Sequence, residues 1–186
     1  MRKEYASLRR RPFFMPVWLL ALAFAVGLGG SAWALRVAST TVVVVMRHAE
    51  KADETSADPP LSAAGAERAG RLAAMFGRPS AFGFDAIFVT QWHRTTATAE
   101  PLAKRLGARL IEVEADDVAG LEARILGDFR GKRVLVVAHS DSVPVIVHDL
   151  ARGAAIPPIA AGEYGTTYVV AIPRWSRPTV LAFSLP

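Results

Sequence analysis

The 186-residue sequence predicts an α/β protein: a three-layer, mainly parallel sheet with helices on both faces, preceded by an N-terminal hydrophobic helix. Three observations predict it. Short β-branched runs, of which Val42-Val43-Val44-Val45-Met46 and Val134-Leu135-Val136-Val137-Ala138 are the clearest, read as strands buried on both faces. Segments with helical patterning and capping residues separate these runs, and strands that alternate with helices imply parallel pairing. An uncharged stretch over residues 12–35 precedes them all.

That stretch is rich in Leu, Ala, Phe and Trp and follows Arg2, Lys3, Arg9, Arg10 and Arg11. As a helix, residues 12–35 span ~36 Å, enough for a hydrocarbon core of ~30 Å. The positive-inside rule keeps residues 1–11 in the cytoplasm, which places residues 36–186 in the periplasm or at the exterior of a bacterial inner membrane. An uncleaved anchor and a cleaved signal both fit. Ala32-Trp33-Ala34 has the small-x-small pattern of a signal peptidase site, Gly27, Gly29 and Gly30 loosen the preceding segment, and Arg10-Arg11-Pro12-Phe13-Phe14 resembles a twin-arginine export signal. Both fates leave the following domain on the same side.

Most of the formal net charge of +5 resides in this segment: residues 1–34 hold five Lys or Arg and one Glu, leaving 17 basic and 16 acidic residues in 35–186. A nearly neutral domain without a basic stripe excludes nucleic acid as a partner. The absence of cysteine excludes disulfides and thiolate metal sites.

The elements of the domain follow in order. The first strand covers residues 40–46 and leads through a loop, 47–61, to a helix over 63–76 with Ser62 as its N-cap. A strand over 84–90, a helix over 95–106, a short strand over 110–113 and a helix over 118–126 come next. The strand 133–138 precedes a helix over 143–151, for which Ser142 is the expected cap, and strands 167–172 and 179–183 complete the sheet. Residues 53–60 and 154–162 are the most loop-like stretches and are expected to border a substrate mouth.

The polar residues with chemistry lie where strands end. Arg47-His48 follows the first apolar run and His139-Ser140 the later one, while Gln91-Trp92-His93-Arg94-Thr95 follows the strand between them. In open α/β sheets the carboxyl ends of the strands form the ligand-binding edge. Two imidazoles and two guanidiniums at one edge make a concave, positive site suited to phosphate, whose oxygens guanidinium grips bidentately.

These residues resemble the histidine phosphatase superfamily, with its phosphoglycerate mutase-like fold and Arg-His-Gly signature. The signature stands as Arg47-His48-Ala49-Glu50-Lys51, with Ala49 at the usual glycine. Pro60-Leu61-Ser62-Ala63-Ala64-Gly65, residues 90–98 and Val136-Val137-Ala138-His139-Ser140 continue the match, with Ala138 at another usual glycine and Asp141 at a frequent asparagine. The resemblance implies a histidine acid phosphatase-type phosphoric ester hydrolase in which His48 is the nucleophile and forms a phosphohistidine. It implies that His139, Arg47 and Arg94 hold the phosphoryl oxygens, with Lys51 as a further phosphate contact. Neither a metal ion nor an organic cofactor is expected, because four groups of positive character replace the divalent cation.

The leaving-group acid is left open among Glu112, Glu114, Asp116, Asp117 and Glu122, and Glu50 and Asp141 read as supporting partners of the motif residues. Trp92, His93 and His148 are assigned to the rim or surface. Substrates in keeping with the resemblance are a phosphorylated small molecule, a saccharide or a protein. A phosphohistidine protein phosphatase and a non-catalytic phosphate-binding relative are the alternatives, and a mutase fits less well because the chain lacks long insertions to enclose its substrate.

Overall fold

The computed structural model describes residues 17–38, 40–53, 55–78 and 83–185. It divides into two compact units, Met1–Ala38 and Ser39–Pro186. In the first, α1 (Val17–Ala38) is a single helix whose span Val17–Leu35 is long and apolar enough to cross a membrane. Among the described residues of that unit, Trp18, Phe24 and Trp33 are all exposed. Residues 1–16, with the basic cluster and the twin-arginine-like segment, lie outside the described residues.

The second unit holds one six-stranded sheet in the order β3-β2-β4-β1-β5-β6. The strands are β1 (Thr41–Arg47), β2 (Ala86–Thr90), β3 (Arg109–Val113), β4 (Arg133–Ala138), β5 (Thr166–Ile172) and β6 (Thr179–Ser184). The first four in that spatial order are parallel, and β5 and β6 add antiparallel pairs at one side. Hence the β5–β6 turn falls where β1 begins, since Thr41 pairs with Ile172.

The two-residue period of a strand sends alternate side chains to opposite faces. Val43, Val45, Val134, Val136 and Phe88 join the core covered by α4 (Val118–Gly127) and α5 (Ser142–Leu150). Val44, Met46, Leu135, Val137 and Ile87 join the other, covered by α2 (Ala63–Phe76) and α3 (His93–Leu106). The three layers therefore follow from apolar runs with no polar alternation, as buried parallel strands require.

Two helix starts differ from the sequence expectation. The α3 helix begins at His93 rather than residue 95, because the side chain of Asp58, distant in sequence, accepts from the His93 N–H at 2.9 Å and substitutes for a local cap. The α5 helix begins at Ser142, with Asp141 rather than Ser142 as its cap; the Asp141 carboxylate accepts from Ser142 N at 2.8 Å. Ser142 Oγ is engaged elsewhere, accepting from the His139 N–H at 3.1 Å. Ser62 does cap α2, accepting from Gly65 N at 3.1 Å.

Candidate active site

The loops leaving β1, β2 and β4 meet at the carboxyl edge of the sheet around an open cleft of about 560 Å³. Arg47, His48, Lys51, Arg94, Asp116 and His139 line it. All five site residues expected from the sequence thus share one concavity.

His48 sits one residue past β1, where its N–H continues the sheet by donating to Ala138 O at 2.9 Å. Its ring is 4 % exposed, and Nδ1 lies 2.7 Å from Ala49 O. A carbonyl only accepts, so Nδ1 carries the proton and Nε2 keeps its lone pair. Burial lowers the His48 pKa to about 4, the Ala49 carbonyl opposes that shift, and His139, Arg47 and Arg94 add to it through their charge. The ring is therefore neutral at physiological pH.

His139 packs edge-on to His48 with ring centroids 5.3 Å apart. Its Nε2 is 3.0 Å from Thr90 Oγ1, which is 3.1 Å from Thr95 Oγ1. Thr95 spends its proton on backbone carbonyls, 2.8 Å to Trp92 O and 3.0 Å to Thr90 O. Thr90 must then donate to Thr95, and so it accepts from His139 Nε2–H. Burial, followed by the charge of Arg94, lowers the His139 pKa to about 4.

The arginines are held differently. Arg47 Nη1 reaches the carbonyls of Ala160, Ala161 and Glu163 at 3.1, 2.7 and 2.8 Å, and its guanidinium lies 4.0 Å from the Tyr164 ring centroid. Its Nε is buried and has no partner among the described residues. Arg94 pairs with Asp58 at 3.3 Å and lies 4.8 Å from the Trp92 ring centroid. One carboxylate, Asp58, thus both starts α3 and steers its first arginine.

Thr98 ties the two halves together: its hydroxyl accepts from Ala49 N at 2.9 Å and donates to Arg94 O at 2.7 Å. Glu50 takes no place in the cleft lining and forms a bidentate pair with Arg68, with oxygens 2.7 to 3.0 Å from the guanidinium nitrogens. That pairing depresses the Glu50 pKa. Gly65 packs so closely under the same loop that a Cβ would collide with the Glu50 carbonyl oxygen. Asp58, Thr90, Thr98 and Tyr164 carry no local sequence signal for these roles, apart from the position of Thr90 at a strand end.

Of the five carboxylates considered as the acid, only Asp116 lines the cleft. It has no hydrogen-bond or ion-pair partner among the described residues. Glu112, Glu114 and Asp117 border a separate cavity with Arg124, and burial raises the pKa of Glu122, with Asp149 adding to it. Asp141 lines the cleft while capping α5. Trp92 is in the wall, whereas His93 and His148 are exposed. Lys51 is exposed at the mouth.

The neutral, buried imidazoles have a thermodynamic consequence. In the unfolded chain each takes a proton near pH 6.5, so their contribution to stability is complete above that value and is lost as pH falls towards about 4. Between pH 7 and pH 5 the pair is expected to cost about 3 to 4 kcal/mol of folding free energy. Urea unfolding at the two pH values measures it, and His48→Gln/His139→Gln should remove most of the difference. An unchanged difference would contradict the neutral-ring assignment.

The model of the histidine phosphatase superfamily (branch 1) matches residues 43–130. No curated protein matches the sequence. A protein histidine phosphatase, SixA, solved with tungstate, is similar at 21% identity, with 77% of this chain and 96% of that one covered and a TM-score of 0.62. Mycobacterial glucosyl-3-phosphoglycerate phosphatase is similar at 14% identity, covering 79% of this chain and all 100% of its own, with a TM-score of 0.63. A mycobacterial hydrolase gives 15% identity, 78% and 99% coverage, and a TM-score of 0.59.

Proposed function

We propose that this chain, a member of the histidine phosphatase superfamily, hydrolyses a phosphomonoester through a phosphohistidine at His48. The observation that carries the reading is the Nδ1 contact to Ala49 O, which leaves a lone pair on Nε2 in a cleft with two guanidiniums.

In the first step, Nε2 of His48 attacks phosphorus and the bond to the leaving oxygen breaks. Arg47 and Arg94 neutralise the equatorial oxygens. His139, anchored through Nε2 to Thr90, offers its other ring nitrogen; a phosphoryl dianion favours the charged ring. Lys51 meets the substrate at the mouth. Asp116 gives its proton to the leaving alkoxide. In the second step water attacks the phosphohistidine, Asp116 takes the water proton, and inorganic phosphate leaves with His48 neutral again.

The substrate class is a phosphorylated small molecule, a saccharide or a protein, and the open cleft admits a phosphoryl group presented by any of these. The α1 helix serves as a membrane anchor or export signal and places the domain outside the cytoplasm.

Asp116→Asn tests the assignment through the leaving group. An alkyl phosphate needs its oxygen protonated, so its turnover is expected to fall ~10²-fold or more. A nitrophenyl phosphate leaves without help and should change ~3-fold or less on the same physical ground. Equal losses on both would remove Asp116 from the role; no hydrolysis of either by the wild type would favour the non-catalytic phosphate-binding alternative.

A further inference from the structure

The edge of the sheet opposite the cleft is basic and aromatic. The β5–β6 turn there reads Pro173-Arg174-Trp175-Ser176-Arg177-Pro178. Trp175 is 62% exposed, and the Arg174 guanidinium lies 5.4 Å from its ring centroid. Arg130, Arg152 and Arg174 line a cavity of about 120 Å³ with Thr41, the first residue of β1, and with one acid, Asp149. Arg133 pairs with Val42 at the same end, preceded by Lys132, and both are exposed.

The acids of this edge do not balance these bases. Asp85, which accepts from the Arg133 backbone N–H at 2.8 Å, Asp128 and Asp149 are three acids against the six bases Arg130, Lys132, Arg133, Arg152, Arg174 and Arg177. A domain that is nearly neutral overall therefore concentrates positive charge here. An exposed indole flanked by guanidiniums suits the boundary between lipid headgroups and acyl chains, where the ring lies at headgroup level and the cations reach phosphate.

We propose that this edge docks on an anionic lipid surface, with Trp175 as the interfacial residue and Arg174 and Arg177 as its headgroup contacts. The sequence supplies the bilayer: the apolar helix ends at Ala38 and β1 begins at Thr41, so the docking rests on the anchor reading of α1. Docking by this edge turns the catalytic cleft, at the other ends of the same strands, away from the membrane and towards soluble substrates.

The chain has no cysteine, so one introduced cysteine is a unique label. Full-length protein in nanodiscs would carry a fluorophore at Ser176→Cys, at Ala57→Cys beside the cleft, or at Leu28→Cys in α1, with a spin-labelled headgroup as quencher. In phosphatidylglycerol-containing discs the label at 176 should be quenched at least ~3-fold more than that at 57, and the excess should fall in pure phosphatidylcholine or at high salt. Arg174→Gln/Arg177→Gln should abolish the excess without altering nitrophenyl phosphate hydrolysis. Equal quenching at 176 and 57 overturns the proposal. An excess indifferent to lipid charge and to both arginines also overturns it. An unquenched label at 28 with quenching kept at 176 overturns the anchor reading alone.

Discussion

His48→Ala is expected to abolish turnover, lowering the rate by at least ~10³-fold, because it removes the atom that bonds to phosphorus. The Nδ1–Ala49 contact makes the expectation specific to Nε2, since the other nitrogen is committed to the backbone. Rapid quenching with radiolabelled substrate should trap phosphate on the wild type as an acid-labile, base-stable adduct, as a phosphorus–nitrogen bond requires, and none on the variant. The ring is 4 % exposed, so its loss leaves a small cavity between β1 and His139. Circular dichroism separates lost chemistry from lost fold. Near-wild-type turnover by the folded variant would end the covalent reading.

Arg94→Ala should cost roughly 2 to 4 kcal/mol of transition-state stabilisation, equivalent to ~30- to 1,000-fold in kcat/KM. The loss is that of a charged donor for the phosphoryl oxygens, since burial is the main cause of the lowered pKa of both imidazoles. Arg94→Lys retains the charge but not the planar fork, and should recover only part of the rate. The bond from Asp58 to the His93 N–H survives in both variants, which keeps the start of α3 in place. Full activity in a folded Arg94→Ala protein would show that the guanidinium does no more than pair with Asp58.

What the sequence revealed is the part encoded locally. Valine-rich runs place β1 and β4, and the polar residues that end those runs must project at the carboxyl edge; hence Arg47, His48, Arg94 and His139 were legible with their shared location. The parts that escaped reading depend on chain segments brought together by the fold. Asp58 meets Arg94 across 36 positions, Thr98 meets Ala49 across 49, and Arg47 reaches Ala161 across 114. No periodicity encodes such partners. The proposed acid was illegible for a related reason: five carboxylates crowd residues 112–122, and only the geometry of the turn after β3 directs Asp116 alone among them to the cleft. The expected Ser142 cap failed because Ser142 Oγ turns back to accept from the His139 N–H while the Asp141 carboxylate accepts from the Ser142 N–H, a choice that composition cannot settle.

The alternation along β1 has one more consequence. Val43 and Val45 belong to one core and Val44 and Met46 to the other, while both neighbouring strands pair with β1 along its length. Release of β1 would break both cores, so its amides are expected to exchange with solvent through global unfolding, which native-state hydrogen exchange would measure. His48, the proposed nucleophile, follows directly on this doubly packed strand, whereas Arg94 is steered by a carboxylate in the loop over residues 53–60. Displacement of that loop would therefore shift Arg94 while leaving Arg47, the last residue of β1, and His48 beside it in place.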